Sequence, residues 1–190
     1  MISSNPIGIY IHIPFCVRKC PYCDFVSFRY SKEEEERYIS HLLREIDMKS
    51  KGETIDTIYL GGGTPSILSL KGLEKIFEFI QEKFKLSKGV EISMEVNPGT
   101  VDREKIKVWK ELGINRISIG AQSFIEKELK ILGRIHDTDD IYKTFHMLRE
   151  ADFKNINIDL IYSLPFQEQE DFYFSLKEAV KLNPEHISKY

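Results

Sequence analysis

The chain has 190 residues, 42% of them hydrophobic and 30% charged, with 11 glycines and 7 prolines, a composition that excludes disordered, collagenous and low-complexity classes. At this length roughly 70% of the unfolded surface can be buried, enough for one sizeable domain over residues 1–190. Lysine plus arginine (27) nearly balances aspartate plus glutamate (30), a formal charge of -3, which argues against a nucleic-acid binder held by phosphate neutralisation. The longest apolar stretches, residues 7–15 and 158–166, are too short to cross ~30 Å of hydrocarbon, and no basic segment follows Met1. A soluble cytoplasmic protein is expected, with peripheral contact at a membrane left open.

In chain order, β-branched runs predict strands at 7–13, 54–60, 90–96, 116–120, 155–162 and 186–190. Between them lie amphipathic helical patterns. The first opens on a capping box of Ser31 and Glu34 and lines up Tyr38, Ile39, Leu42, Leu43 and Ile46. Leu73, Ile76, Phe77, Ile80 and Phe84 repeat that spacing. Ile106, Trp109 and Leu112 precede a terminating Gly113, Ile141, Phe145 and Leu148 form a further stripe, and Leu176, Ala179 and Val180 precede a stop at Pro184. Five strand-to-helix units and a sixth strand predict an α/β fold, a partial (β/α)6 TIM-like barrel of parallel strands. Because its last strand has no covering helix, the chain is expected to be the N-terminal part of a longer protein. A Rossmann-type open sheet is the alternative, although no G-x-G-x-x-G follows the first strand.

The strands alternate where buried parallel strands should be uniformly apolar. Ile9, Ile11 and Ile13 oppose Tyr10 and His12. Ile92, Met94 and Val96 oppose Ser93 and Glu95, Ile117 and Ile119 oppose Ser118, and Ile156, Ile158 and Leu160 oppose Asn157 and Asp159. Unpaired interior polar groups cost ~1–3 kcal/mol each, so a polar lumen holding a ligand is expected. An antiparallel sheet with one wet face would show the same alternation, but the long helical connections argue against it.

All three cysteines, Cys16, Cys20 and Cys23, fall within eight residues in the loop after the first strand, the strand end that carries catalytic groups in such barrels. Soft thiolates favour zinc or an iron–sulfur cluster. Zinc would want a fourth protein ligand, for which His12 is the nearby option. A 4Fe–4S cluster held by three cysteines leaves one iron open to an external ligand. The second loop, Gly61-Gly62-Gly63-Thr64-Pro65, lets backbone approach a ligand closely. A plain strand-to-helix turn explains it equally well taken alone, and the absence of a following lysine excludes a Walker loop.

The C-x3-C-x2-C spacing with Tyr22 before the last cysteine resembles the radical S-adenosylmethionine (SAM) superfamily. Across nearly the whole chain, Tyr10-Ile11-His12-Ile13-Pro14-Phe15-Cys16, the glycine loop, Glu95-Val96-Asn97-Pro98, Gly120-Ala121-Gln122-Ser123-Phe124, Gly133-Arg134 and residues 159–165 resemble its coproporphyrinogen-dehydrogenase-like family. The resemblance implies that Cys16, Cys20 and Cys23 hold a 4Fe–4S cluster whose free iron takes the amino and carboxylate groups of SAM, and that an electron from the cluster cleaves SAM to a 5′-deoxyadenosyl radical. It further implies SAM contacts for Tyr10, Gly62 and Glu95, and for Tyr22, Gly63, Thr64, Gln122, Arg134 and Asp159, some of them to a second SAM molecule. The residue types suit this. Glu95, Gln122 and Asp159 fall on the lumen face, where they can meet an ammonium, hydroxyls and an adenine edge, and Arg134 offers a fork for a carboxylate. Ion pairs, a strand-end hydrogen bond and a helix cap remain the plainer readings of these four. His12 divides between a substrate or proton-handling role, the one catalytic candidate, and a satisfied interior histidine.

The family contains oxygen-independent dehydrogenases, which oxidise porphyrinogen propionates to vinyl groups, and haem chaperones, which deliver haem to respiratory proteins. Cys23-Asp24-Phe25 is similar to the chaperone pattern, because the dehydrogenases typically carry a further cysteine where Phe25 stands. The resemblance therefore implies a haem chaperone with cluster, SAM and, in the full-length protein, haem as cofactors. It also implies an electron donor such as flavodoxin and haem-receiving respiratory proteins as partners. The His-Asn-Leu-x-Tyr-Trp string associated with haem in the chaperones does not occur in these residues.

Overall fold

A computed structural model describes residues 6–190. Six strands form one sheet: β1 (Ile7–Ile13), β4 (Thr54–Gly62), β5 (Lys85–Val96), β6 (Arg116–Gln122), β7 (Ile156–Leu160) and β8 (His186–Lys189), paired in that order. Every neighbouring pair is parallel. The order never reverses, which sets aside the Rossmann-type alternative, and the parallel pairing sets aside the antiparallel one. A second pairing, β2 (Phe15–Cys16) with β3 (Phe28–Arg29), closes the base of the cysteine loop. There the Phe28 amide donates to the Pro14 carbonyl (2.8 Å) and the Tyr30 amide to that of Cys16 (2.9 Å).

Right-handed crossovers between strands laid down in one direction put every connecting helix on the same face of the sheet. The helices are α1 (Lys32–Lys49), α2 (Leu70–Lys83), α3 (Arg103–Glu111), α4 (Glu126–Ile131), α5 (Thr138–Glu150) and α6 (Gln169–Lys181). Ile13, Ile58, Leu60, Met94, Ile117, Ile119, Ile156 and Ile158 are all fully buried under them, together with Ile76, Phe77, Ile80, Ile141 and Leu148 from the helices. The opposite face keeps the polar half of each alternating strand, including Tyr59, Ser93, Glu95, Ser118, Asn157 and Asp159. Ser93, Ser118 and Asn157 are themselves buried, so this face is recessed rather than flat. β1 and β8 each pair on one side only, which leaves the barrel open between them. No helix among the described residues is long and apolar enough to cross a membrane.

The element ends show where local chemistry departs from the expected pattern. Ser31 caps α1 by accepting from the Glu34 amide (3.2 Å). The reciprocal half of the expected capping box is missing, because the Glu34 carboxylate turns outward to Arg37 at 2.7 Å. The strand expected at 90–96 begins instead at Lys85, its register shifting opposite Ile55 and Thr57 around Gly89, at φ +79°. β4 and β6 each run two residues past the expected ends, to Gly62 and Gln122. α4 was not legible, since six residues are too few to show a helical period.

Candidate active site

At the C-terminal ends of the strands lies a cavity of about 410 Å³, within the range of small-molecule sites. It is lined by eleven of the thirteen expected site residues: Cys16, Tyr22, Cys20, Cys23, Gly62, Gly63, Thr64, Glu95, Gln122, Arg134 and Asp159. Tyr10 and His12 do not line it. Tyr10 is mostly exposed, and its hydroxyl meets His12 Nδ1 at 3.0 Å, while His12 Nε2 meets the Val26 carbonyl at 2.8 Å. Since a carbonyl can only accept, Nε2 carries a proton and donates to Val26, and Nδ1 pairs with the Tyr10 hydroxyl, so both ring nitrogens are satisfied.

The three cysteines are half-buried and unpaired, on a loop turned by the Cys23 amide donating to the Cys20 carbonyl (3.1 Å). No three His, Cys, Asp or Glu side chains among the described residues gather around a single ion position. A 4Fe–4S cluster does not require that, because each sulfur is bound to a different iron. Three soft donors on one wall of a ligand-sized cavity fit such a cluster. Thr64 Oγ1 donates to Cys16 Sγ at 3.4 Å and is itself held by Asn97 Nδ2 at 3.0 Å, tying the glycine loop to the cysteine loop.

The glycine loop passes so close to β1 that side chains do not fit. A Cβ on Gly62, which sits at φ +112°, would stand 2.6 Å from the His12 ring, and one on Gly63 would stand 2.6 Å from the Phe15 carbonyl oxygen. The amides expected to face a ligand are engaged internally. That of Gly62 donates to Glu95 Oε2 (3.1 Å) and that of Gly63 to the Ile13 carbonyl (2.7 Å).

The two lumen carboxylates are held by neighbouring strands. Glu95 accepts from Tyr59 Oη at 2.7 Å as well as from Gly62. Asp159 accepts from Ser118 Oγ (3.0 Å) and Asn157 Nδ2 (2.7 Å), and Asn157 is fixed in turn by Ser188 Oγ (3.0 Å). Neither carboxylate has an ion-pair partner among the described residues. Burial raises the pKa of both, against the pull of these hydrogen bonds. Two desolvated carboxylates without an ion-pair partner make the strand side of the cavity attractive to a positively charged ligand, although Arg116 acts on Asp159 from a distance.

Gln122, at the end of β6, holds the left-handed conformation (φ +69°), a conformation few non-glycine residues adopt and one that turns its amide toward the cavity rim. Arg134 is anchored through one end of its guanidinium, and its Nε is buried without a partner among the described residues. Its Nη2 donates to Asn97 Oδ1 (2.7 Å) and the Gly120 carbonyl (2.9 Å), and Nη1 faces Tyr22 Oη (3.5 Å) and Cys20 Sγ (3.8 Å). Sequence reasoning missed Tyr59, Ser118, Asn157 and Ser188 as supports of the carboxylates. The signal was present in the alternation, since each shares the lumen face, but their partners across strands depend on register.

The radical SAM superfamily model matches residues 10–179. The chain belongs to the radical SAM superfamily. A 4Fe–4S cluster and SAM are the cofactors that membership in this superfamily implies. The chain is 40% identical over 194 residues to the haem chaperone HemW of Escherichia coli, covering 100% of this chain and 51% of the relative. It is 32% identical over 193 residues to the oxygen-independent coproporphyrinogen III oxidase of Synechocystis, covering 99% and 41%. Among solved structures it is similar to the E. coli coproporphyrinogen III oxidase HemN, described as a radical SAM enzyme, with a TM-score of 0.90 and 30% identity over 97% of this chain and 44% of that one. The chain thus spans about half the length of the curated relatives it matches.

Proposed function

We propose that this chain is the cluster- and SAM-binding part of a haem chaperone. Phe25 carries this reading over the oxidase one. It lines the mouth of the cavity, 65% exposed, at the position where the resemblance places a further cysteine in the dehydrogenases. The higher identity to HemW than to the oxidase supports the same choice. The likeness in fold to HemN keeps the oxidase as the second reading.

In this reading Cys16, Cys20 and Cys23 hold the cluster, which when bound and reduced supplies the electron for cleaving a sulfonium. Glu95 and Asp159 attract and orient the cationic ligand, Gly62, Gly63 and Thr64 let it approach the strand ends, and Gln122 and Tyr22 border it. Tyr10 acts from outside the cavity, through His12 and the Val26 carbonyl at the base of the cysteine loop. In the intact protein, cytoplasmic with peripheral contact at a membrane, haem is the cargo, an electron-transfer protein of the flavodoxin kind supplies the electron, and respiratory proteins receive the haem. Haem titration of the intact protein beside a coproporphyrinogen turnover assay tests this. Stable haem binding without vinyl product is expected, and vinyl product without stable haem binding would overturn it.

A further inference from the structure

α4 ends in a turn that reaches back to the cysteine loop. The Gly133 amide donates to the Lys130 carbonyl (3.0 Å) and the Arg134 amide to that of Leu129 (2.9 Å), with Gly133 at φ +68°, a Schellman-type ending that only a residue without Cβ makes without strain. The turn lies directly on the loop. A Cβ on Gly133 would stand 2.7 Å from Pro21 Cδ, and Arg18 Nη2 donates to the Gly133 carbonyl at 2.6 Å. From this turn the Arg134 side chain re-enters the site between two strand ends.

The acceptors that fix Arg134 are neutral: the Asn97 amide oxygen beyond β5 and the Gly120 carbonyl on β6. No carboxylate pairs with it among the described residues, so its charge is not cancelled locally. The other edge of the guanidinium faces Cys20 Sγ. We propose that Arg134 is a positioning residue for the iron–sulfur centre: anchored by Asn97 and Gly120, it donates to the Cys20 sulfur and raises the reduction potential of the cluster held there. One-electron reduction adds negative charge to the cluster, so a fixed cation and a hydrogen bond at a ligating sulfur stabilise the reduced state more than the oxidised one. The inference rests on the cluster reading above, and it adds a task for Arg134 to the carboxylate contact the sequence suggested.

The test is an anaerobic titration of the reconstituted protein with dithionite as the electron donor, without SAM, followed by electron paramagnetic resonance. The wild type is compared with Arg134→Gln, Arg134→Lys and Asn97→Ala. At equal iron and sulfide content, Arg134→Gln is expected to have the lowest midpoint potential. Arg134→Lys should lie between it and the wild type, because it keeps the charge, and so should Asn97→Ala, which removes one anchor of the guanidinium together with the hold on Thr64 beside Cys16. A wild-type midpoint in Arg134→Gln overturns the proposal. If Arg134→Gln holds no cluster, the other two decide, and wild-type midpoints in both, or loss of iron in all three, overturn it as well. A wild type that assembles no 4Fe–4S cluster would instead defeat the underlying reading.

Discussion

The two walls of the cavity are built differently. On the strand wall, Glu95 and Asp159 are each gripped by two donors, from β4 on one side and from β6 and β7 on the other. On the loop wall, the thiols sit on a segment with five large apolar residues exposed, Val17, Tyr22, Phe25, Val26 and Phe28. That segment is tied mainly at its base by β2 and β3 and along one edge by Gly133 and Arg134. Charge complementarity is thus fixed by the sheet, whereas the metal-binding groups are carried by a loop that contributes little to the core. Changes on the loop wall should abolish chemistry and spare stability, and changes on the strand wall should do both in part.

The largest effect expected is loss of the cluster in Cys20→Ser. Cys20 makes only long contacts, near 4 Å, so unfolding of the metal-free protein should shift by no more than about 0.5 kcal/mol. Iron analysis after anaerobic reconstitution and a urea titration read the two halves separately. Unchanged iron content, or a large stability loss, would erase the contrast between the walls.

The next effect lies at the junction of the walls. His136 is buried, with Nε2 3.3 Å from the Ala121 carbonyl and Nδ1 without a partner. Burial first, and the nearby Arg134 charge second, push its pKa down from 6.5 to about 4. The unfolded chain therefore gains a proton near pH 6.5 that the folded chain refuses until about pH 4. The associated stability is fully present above 6.5 and is lost as pH falls through that window. A shift of this size is on the order of 3 kcal/mol. Because burial raises Glu95 and Asp159, these groups tilt stability in the opposite sense over the acid range, so the measurement is the wild type against His136→Gln at each pH. Parallel curves for the two proteins would remove His136 from the account.

The sheet and most helices were legible because burial imposes a period: Ile7–Ile13 and the stripes of α1, α2, α3 and α5 need no knowledge of partners. The cysteines were legible because their spacing is itself the chemistry. What stayed hidden depends on contacts distant in sequence. Nothing near Arg134 indicates that Asn97 and Gly120 would occupy its donors, and Tyr59 gives no local sign that it supports Glu95, 36 residues away. Local competition hid the rest, as where Glu34 prefers Arg37 to the Ser31 amide and where Gly89 lets β5 start early.

On the strand wall itself, Glu95→Gln should lower SAM affinity by about 10- to 100-fold, the equivalent of losing a charged hydrogen bond worth about 1.5–3 kcal/mol. In the wild type, affinity should also fall as pH drops through the acid range, beginning at higher pH than an ordinary carboxylate with a pKa near 4 would allow, because burial has raised both carboxylates. Calorimetry across that range checks both statements. A flat wild-type profile would detach the carboxylates from the ligand.

The smallest effect is the most discriminating, because it starts one residue removed from the cavity. Ser188 holds Asn157 Oδ1 at 3.0 Å, which aims Asn157 Nδ2 at both Asp159 Oδ1 and Ser118 Oγ, each at 2.7 Å. Ser188→Ala removes this support from β8 and should cost about 0.5–1.5 kcal/mol of stability. With Asn157 free to turn, Asp159 loses donors that favour its ionised form, so its pKa rises further and the acid-side fall in SAM affinity should begin at higher pH. Ser188→Thr keeps the hydroxyl and should restore the wild-type profile. If Ser188→Ala lowers stability but leaves the pH profile in place, β8 braces the sheet without acting on Asp159, and the strand wall is set by β6 and β7 alone.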